Sequence, residues 1–234
     1  MNENEPQVNP GKSLIIEINA SKYNRIPIKT HIITKEDSLE SAFVPYVKPL
    51  LLAGDIVFIS EKAIACIQSR AIPLEDIKPR KLATKLSHYV HKTPHGIGLG
   101  MPETMEMALR ECGVLRILFA AVISVFGKLI GKKGWFYHVA GPKARAIDGP
   151  TPNTIPPYNR YVVLGPKDPV QVSKDLSKLL DNAVVTIVDI NDLGGNILGT
   201  SDSSVNENLL VSLLSDNPLG QGTEQTPCGI IRRV

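Results

Sequence analysis

The chain has 234 residues, 43% hydrophobic and 21% charged, with a formal charge of +3; this is ordinary globular composition, long enough for one large domain or two small lobes. Basic residues are dispersed and aromatics make up only 5%, so no nucleic-acid stripe or set of base-stacking positions emerges and no nucleic-acid partner is expected. Cys66, Cys112 and Cys228 lie far apart without paired spacing, which excludes a disulfide framework or thiolate zinc site and points to a reducing cytoplasm.

MNENEPQVNPGK is polar and reads as a flexible tail over 1–12, with the structured domain at 13–234. LIIEI predicts a strand, and RIPIKTHII a second extended piece that Pro27 assigns to a sheet edge. GDIVFIS then reads as turn and strand, leading into a helix at EKAIACIQ. In PRKLATKLSHYVHK, Leu82, Leu86, Tyr89 and Val90 recur at helical spacing, and in PETMEMALREC Pro102 suits the first helical turn. Val114–Ile130 is an apolar helix about long enough to be a marginal span, with Arg116 and Lys128 near its ends. It is read as a buried or dimer-forming helix, so a homodimer and no membrane partner are expected.

WFYHVAG and RYVVLG read as strands, with His138 packed in the core. PVQVSKDLSKLL is an amphipathic helix begun by Asp168 and Pro169, and ENLLVSLL is one more helix. DNPLGQGTEQTP is a long polar loop, and CGIIRRV a closing strand. No period of about 20–50 residues repeats, which excludes a solenoid. Strands alternating with helices predict an α+β, or mixed α/β, domain, either undivided or of two lobes with a boundary near 112–134.

The sharpest chemical signal is Val184–Gly199, where a β-branched apolar run delivers Asp189 and Asp192 to a glycine-broken turn. With Asp148 in RAIDGP, these carboxylates suggest a divalent-metal site built from two loops. Asp189 and Asn191 would equally serve to cap the turn, and spacing leaves both readings open. Lys62 and Arg70 are each either an anion contact or an ordinary surface cation. Gly96, Gly98 and Gly100 precede a helix and could offer amides to phosphate, but lack a nucleotide fingerprint, so a plain flexible loop is favoured. His88 and His91, with His95 nearby, are read as a solvated face rather than metal ligands. The absence of G-x-S-x-G rules out the hydrolase elbow. Gln221 and Glu224 lie in a terminal loop rich in amides and carboxylates, for which solvation is the plain reading.

GDIVFISEKAIACIQSRAIPLEDIKP, Asp148 in AIDGP, Asp192 with Gly194, and GQGTEQTPCGIIR occur in an order that resembles the coenzyme F420:L-glutamate ligase family, from about Ile26 to Arg232. AIDGPTPNTIPPYN, YVVLGPKDP and NDLGGNILG resemble a short bacterial branch of that family. The resemblance implies an F420 glutamate ligase-like fold and an amide ligation in which a substrate carboxylate is phosphorylated by GTP or ATP and the amino group of L-glutamate displaces the phosphate. It implies Mg²⁺ or Mn²⁺ held by Asp148 and Asp192, with Asp189, Glu224 or Gln221 in support, and Lys62 and Arg70 near the nucleotide. Ala65, Gln68 and Ser69 stand where the family commonly has serine, glutamate and glycine, and Gly195, Asn196 and Ile197 replace its arginine–tryptophan stretch. These departures motivate an alternative: a non-catalytic nucleotide- or metal-binding protein on the same fold.

Overall fold

The computed structural model describes residues 8–90, 98–129, 131, 134–191, 194–220 and 222–234. In chain order the elements are β1 Ile15–Ile18, β2 Ser21–Ile28, α1 Leu39–Val47, β3 Ile56–Ser60, α2 Glu61–Ile67, β4 Ala71–Pro73, α3 Lys81–Ser87, α4 Pro102–Cys112, α5 Val114–Leu129 and α6 Trp135–Ala140. They continue with α7 Pro142–Arg145, β5 Tyr161–Val163, α8 Pro169–Leu179, β6 Val184–Asn191, β7 Gly194–Thr200, α9 Glu207–Leu213 and β8 Cys228–Arg233. The architecture is mixed α+β, as the alternation of elements predicts. Two compact units emerge: Met1–Ser69 with Pro166–Val234, and Arg70–Gly165.

The first unit is a six-stranded sheet of order β1-β2-β8-β3-β6-β7. Only β3 and β6 pair in parallel; the other pairings are antiparallel. β3 and β6 are the most apolar runs, and Val57, Phe58, Ile59, Val185, Ile187 and Val188 are buried, as interior strands covered on both faces require. Leu210, Leu213 and Leu214, in and just after α9, cluster with Phe58, Val188 and Ile231. Gly229 in β8 is demanded by this packing, because an added Cβ would stand 2.5 Å from the Phe58 ring and 2.6 Å from the Ile26 carbonyl.

Pro27 misleads the strand assignment. β2 lies between β1 and β8 and is not an edge strand. Yet β1 pairs only as far as Asn24, and the Arg25 amide points toward the β1 side, onto the Leu14 carbonyl at 2.7 Å. Two residues on, the Pro27 nitrogen faces that same side beyond the end of β1, so its missing N–H breaks no ladder bond. Arg25 is buried in the sheet, donating to the carbonyls of Leu213 at 2.9 Å and Ser13 at 2.6 Å and pairing with Asp216.

The second unit sets α3 to α7 around the short β4–β5 pair. Its core includes Ile77, Leu99, Met105, Ala108, Ile117, Ala120, Phe136 and Val162. Glu106 is buried in α4 and accepts from Arg80 through Nη2 at 2.8 Å, from the Arg80 amide at 3.1 Å and from Arg110 Nε at 2.8 Å. Burial raises the Glu106 pKa, but these bonds outweigh it and hold the carboxyl at about 2.

WFYHVAG, expected as a strand, is instead the helix α6, bracketed by Gly134 and Gly141 at positive φ. Its aromatic and β-branched residues mimic strand propensity, but packing against α5 decides. His138, expected in the core, is exposed on that helix. α1 had no sequence assignment; a reciprocal Ser38–Ser41 capping box starts it, while Pro45 interrupts its pattern. No helix among the described residues is long and apolar enough to cross a membrane.

Candidate functional site

In the sheet unit, strand pairing fixes which residues are brought to one end of the sheet. β3 and β6 run parallel with Ser60 opposite Val188, so Lys62 in the first turn of α2 lies just past the carboxyl end of β3, and Asp189 lies near the carboxyl end of β6 beside it. The carboxyl end of a parallel pair is where α/β sheets bind ligands. β8 is antiparallel to β3, with Cys228 opposite Ile59. The polar loop before β8 therefore arrives at the same end, and the Ser60 amide donates to the Pro227 carbonyl at 2.8 Å. Lys62, Asp189 and the Glu224 loop, far apart in sequence, thus share one sheet edge.

At that edge the β6–β7 hairpin forms a cleft of about 260 Å³ lined by Asp189, Asn191, Gly194, Gly195 and Asn196. Asp189 is half-buried and pairs across the hairpin with Asn196. Between Ile187 and Val188 the register shifts, leaving an extra residue on β7; such a bulge kinks the strand and re-aims neighbouring side chains. Asn196, read from sequence only as a departure from a family motif, is a lining residue because of this register. The side-chain oxygens here are hard donors, a chemistry that suits Mg²⁺ or Mn²⁺ better than soft metals. Among the described residues no three His, Cys, Asp or Glu side chains converge as a ready-made metal site. Asp192 and Gln221 lie outside the described residues, as do His91, His95 and Gly96.

Glu224 turns back on its own loop. Its Oε2 accepts from the Gly222 amide at 2.7 Å, and its carboxyl packs over Gly220. The loop is held by Gln225, whose backbone carbonyl accepts from the Thr30 amide at 3.2 Å and whose Nε2 donates to the Thr30 carbonyl at 2.5 Å. Thr226 donates to the Leu219 carbonyl and accepts from Asn9. Polar composition thus builds a cross-tied loop in place of a plainly solvated one.

The adjoining segment carries a hydrogen-bonded trio that no motif in the sequence announces. His31 Nδ1 lies 2.8 Å from the Tyr46 hydroxyl, and Nε2 lies 2.9 Å from Asp37 Oδ1. Burial raises the Asp37 pKa, but bonds from Thr34 and His31 outweigh it and hold the carboxyl below its usual range.

In the helical unit, Arg70 is buried and its guanidinium is engaged: Nε donates to the Gly165 carbonyl at 2.5 Å and Nη2 to Glu111 at 2.8 Å. Asp148 exchanges two backbone bonds with Val163, at 2.8 and 2.9 Å, and Val163 pairs on its other side with Ala71. Asp148 and the residue following Arg70 therefore flank the end of β5. Gly98 and Leu99 do not form a phosphate cradle. The Leu99 amide donates to the Tyr137 hydroxyl at 3.1 Å, and that hydroxyl lies 2.6 Å from where a Gly98 Cβ would stand. A second cleft of about 220 Å³ is lined by Glu111, Cys112, Arg116 and Lys143. Burial pushes the Cys112 thiol up, and Arg116 and Lys143 do not offset it, so Cys112 is held as a thiol rather than a reactive thiolate.

No curated protein matches this chain. The family of F420-0:gamma-glutamyl ligases matches residues 27–192, a stretch that runs from β2 to the end of β6 and includes Lys62, Arg70, Asp148, Asp189 and Asp192. With a match over most of its length and an α+β architecture to carry it, the chain belongs to the F420-0:gamma-glutamyl ligase family.

Proposed function

We propose that this protein is a nucleoside-triphosphate- and divalent-metal-dependent ligase that joins an amino acid, L-glutamate in the first instance, to a carboxylated acceptor. Family membership supports ligase chemistry. The observation that carries the reading to particular residues is the shared sheet edge of Lys62, Asp189 and the Glu224 loop. Amide formation from a carboxylate requires activation by phosphoryl transfer, and that transfer requires positive charge around the moving phosphoryl group. In this reading Asp192 holds Mg²⁺ or Mn²⁺, with Asp189 and Glu224 or Gln221 in support. Lys62 meets phosphate. Held there, such an ion would supply the positive charge that phosphoryl transfer needs.

Incubation with GTP or ATP, Mn²⁺, L-glutamate and a panel of carboxylated acceptors should release phosphate in step with amide product. Nucleotide should also raise the melting temperature in the presence of Mn²⁺, and Asp192→Asn should abolish that shift. An unchanged shift removes Asp192 from the site. Absence of phosphate release across the panel, with the thermal shift intact, turns the assignment to the second reading: a protein that binds nucleotide or metal without turnover. That reading draws on Gln68, which stands where the family commonly has an acid. Gln68 instead pins the backbone of Lys167, donating at 2.9 Å and accepting at 2.7 Å.

A further inference from the structure

The segment after β2 carries His31, Asp37 and Tyr46, and strand pairing brings its start to the sheet edge of Lys62 and the Glu224 loop. β2 and β3 are both antiparallel to β8, with Ile28 and Ile59 each opposite Cys228, so their carboxyl ends lie at the same edge. With β8 between them, those ends stand two strand spacings apart, about 10 Å. Thr30 is bonded to Gln225, the neighbour of Glu224, and His31 is the next residue. Resting on the ligase reading above, we propose that His31, reached through the Tyr46 hydroxyl, is the proton acceptor for the ammonium group of the incoming amino acid.

The hydrogen bonds assign the ring nitrogens. The Tyr46 oxygen accepts from the His31 amide at 3.4 Å, so its own hydrogen is directed to Nδ1 at 2.8 Å, and Nε2 carries the ring hydrogen that Asp37 accepts at 2.9 Å. Asp37 is fixed in turn, accepting from the Thr34 amide at 2.9 Å and the Ser41 hydroxyl at 3.2 Å. Its side chain is 15% exposed, whereas that of His31 is 40% exposed and open to a ligand. A carboxylate that orients an imidazole is the arrangement of a proton acceptor. An amino acid is an ammonium ion at neutral pH and attacks only after losing a proton. In the proposed step the phenol oxygen takes that proton while its own hydrogen passes to Nδ1; the imidazolium then donates to both Tyr46 and Asp37, and no hydrogen bond is lost. The amine lone pair forms the C–N bond to the acyl phosphate, the bond from that carbon to the phosphate oxygen breaks, and one amine hydrogen leaves with the phosphate.

Hydroxylamine is uncharged at neutral pH, needs no such acceptor, and traps an acyl phosphate as a hydroxamate. In the full chain with GTP or ATP, Mn²⁺ and the panel of carboxylated acceptors, His31→Gln should lower kcat with L-glutamate about 100-fold at unchanged KM, while hydroxamate formation stays at the wild-type rate. Asp37→Asn, which keeps the shape and removes the charge, should show the same split between the two nucleophiles. Should His31→Gln fail to fold, Tyr46→Phe, which removes one oxygen, should still lower the glutamate rate about tenfold and spare the hydroxamate. Equal losses with the two nucleophiles, or no loss with glutamate, overturn the proton-acceptor role and leave the ligase reading standing. A wild-type chain that forms neither hydroxamate nor amide overturns the ligase reading and this role with it.

Discussion

Arg25 in the sheet unit and Glu106 in the helical unit are both buried charges, and the partners they find differ. In the sheet unit Arg25 is closed off and held by one half-exposed carboxylate, Asp216, and by two backbone carbonyls. In the helical unit Glu106 is closed off and held by two arginines that reach in from the surface, Arg80 and Arg110, plus a backbone amide. A buried cation can draw on carbonyls that the fold already presents, whereas a buried anion needs donors, and helices leave few free amides away from their first turns. Arg25 therefore ties its charge largely to backbone, and Glu106 ties its charge largely to side chains.

Removing the buried cation tests this contrast most severely. Arg25→Ala should cost about 3–5 kcal/mol in urea unfolding, because it orphans the Leu213 and Ser13 carbonyls as well as Asp216. A loss near zero would mean that the buried pair is dispensable. Gly229→Ala, on the same sheet, should cost about 2–3 kcal/mol by driving a methyl against Phe58 and the Ile26 carbonyl. Equal stability would show that β8 shifts freely. On the helical side, Glu106→Gln should cost about 1–3 kcal/mol at neutral pH, since both arginines can return to water once the charge is gone.

The pH dependence sharpens the same comparison. The Glu106 carboxyl is held at about 2 against an ordinary 4.5, so its contribution is present above about pH 4.5 and is lost as pH falls toward 2. The stability gap between wild type and Glu106→Gln should narrow over that window, as followed by thermal melts; a gap that stays constant down to pH 2 refutes the assignment. For Asp216, burial raises the pKa, but Arg25 outweighs it and holds the carboxyl below its usual range, so this contribution too is lost on the acid side. The smallest expected effect is at the β1–β2 turn, where Asn19 and Ala20 both have positive φ. Ala20→Gly should stabilise by about 0.5 kcal/mol, measured as a small rise in melting temperature.

Elements whose signal is local were legible. β3 and β6 stand out as β-branched apolar runs, α4 by Pro102 and its apolar face, and α5 by its length. Trp135–Ala140 was not, because Trp135, Phe136, Tyr137 and Val139 carry strand propensity and only contact with α5 makes the segment a helix. For the candidate site, Asp189 was legible as a carboxylate at a strand end, and Lys62 as a cation at a helix start. Asn196 and the His31–Asp37–Tyr46 trio were not, since their partners come from register across a bulge and from contacts between a loop and α1.

By itself the sequence determined the family, the α+β class, and the identity of the polar side chains available for chemistry, because propensity and motif order are properties of neighbouring residues. The tertiary structure alone decided that the last strand enters the middle of the sheet between β2 and β3, carrying the Glu224 loop to the edge where Lys62 and Asp189 lie. It likewise decided which half of α5 faces solvent. Strand pairing and helix packing join residues far apart in the chain, and the free energy that selects among pairings comes from buried area, which no local pattern contains.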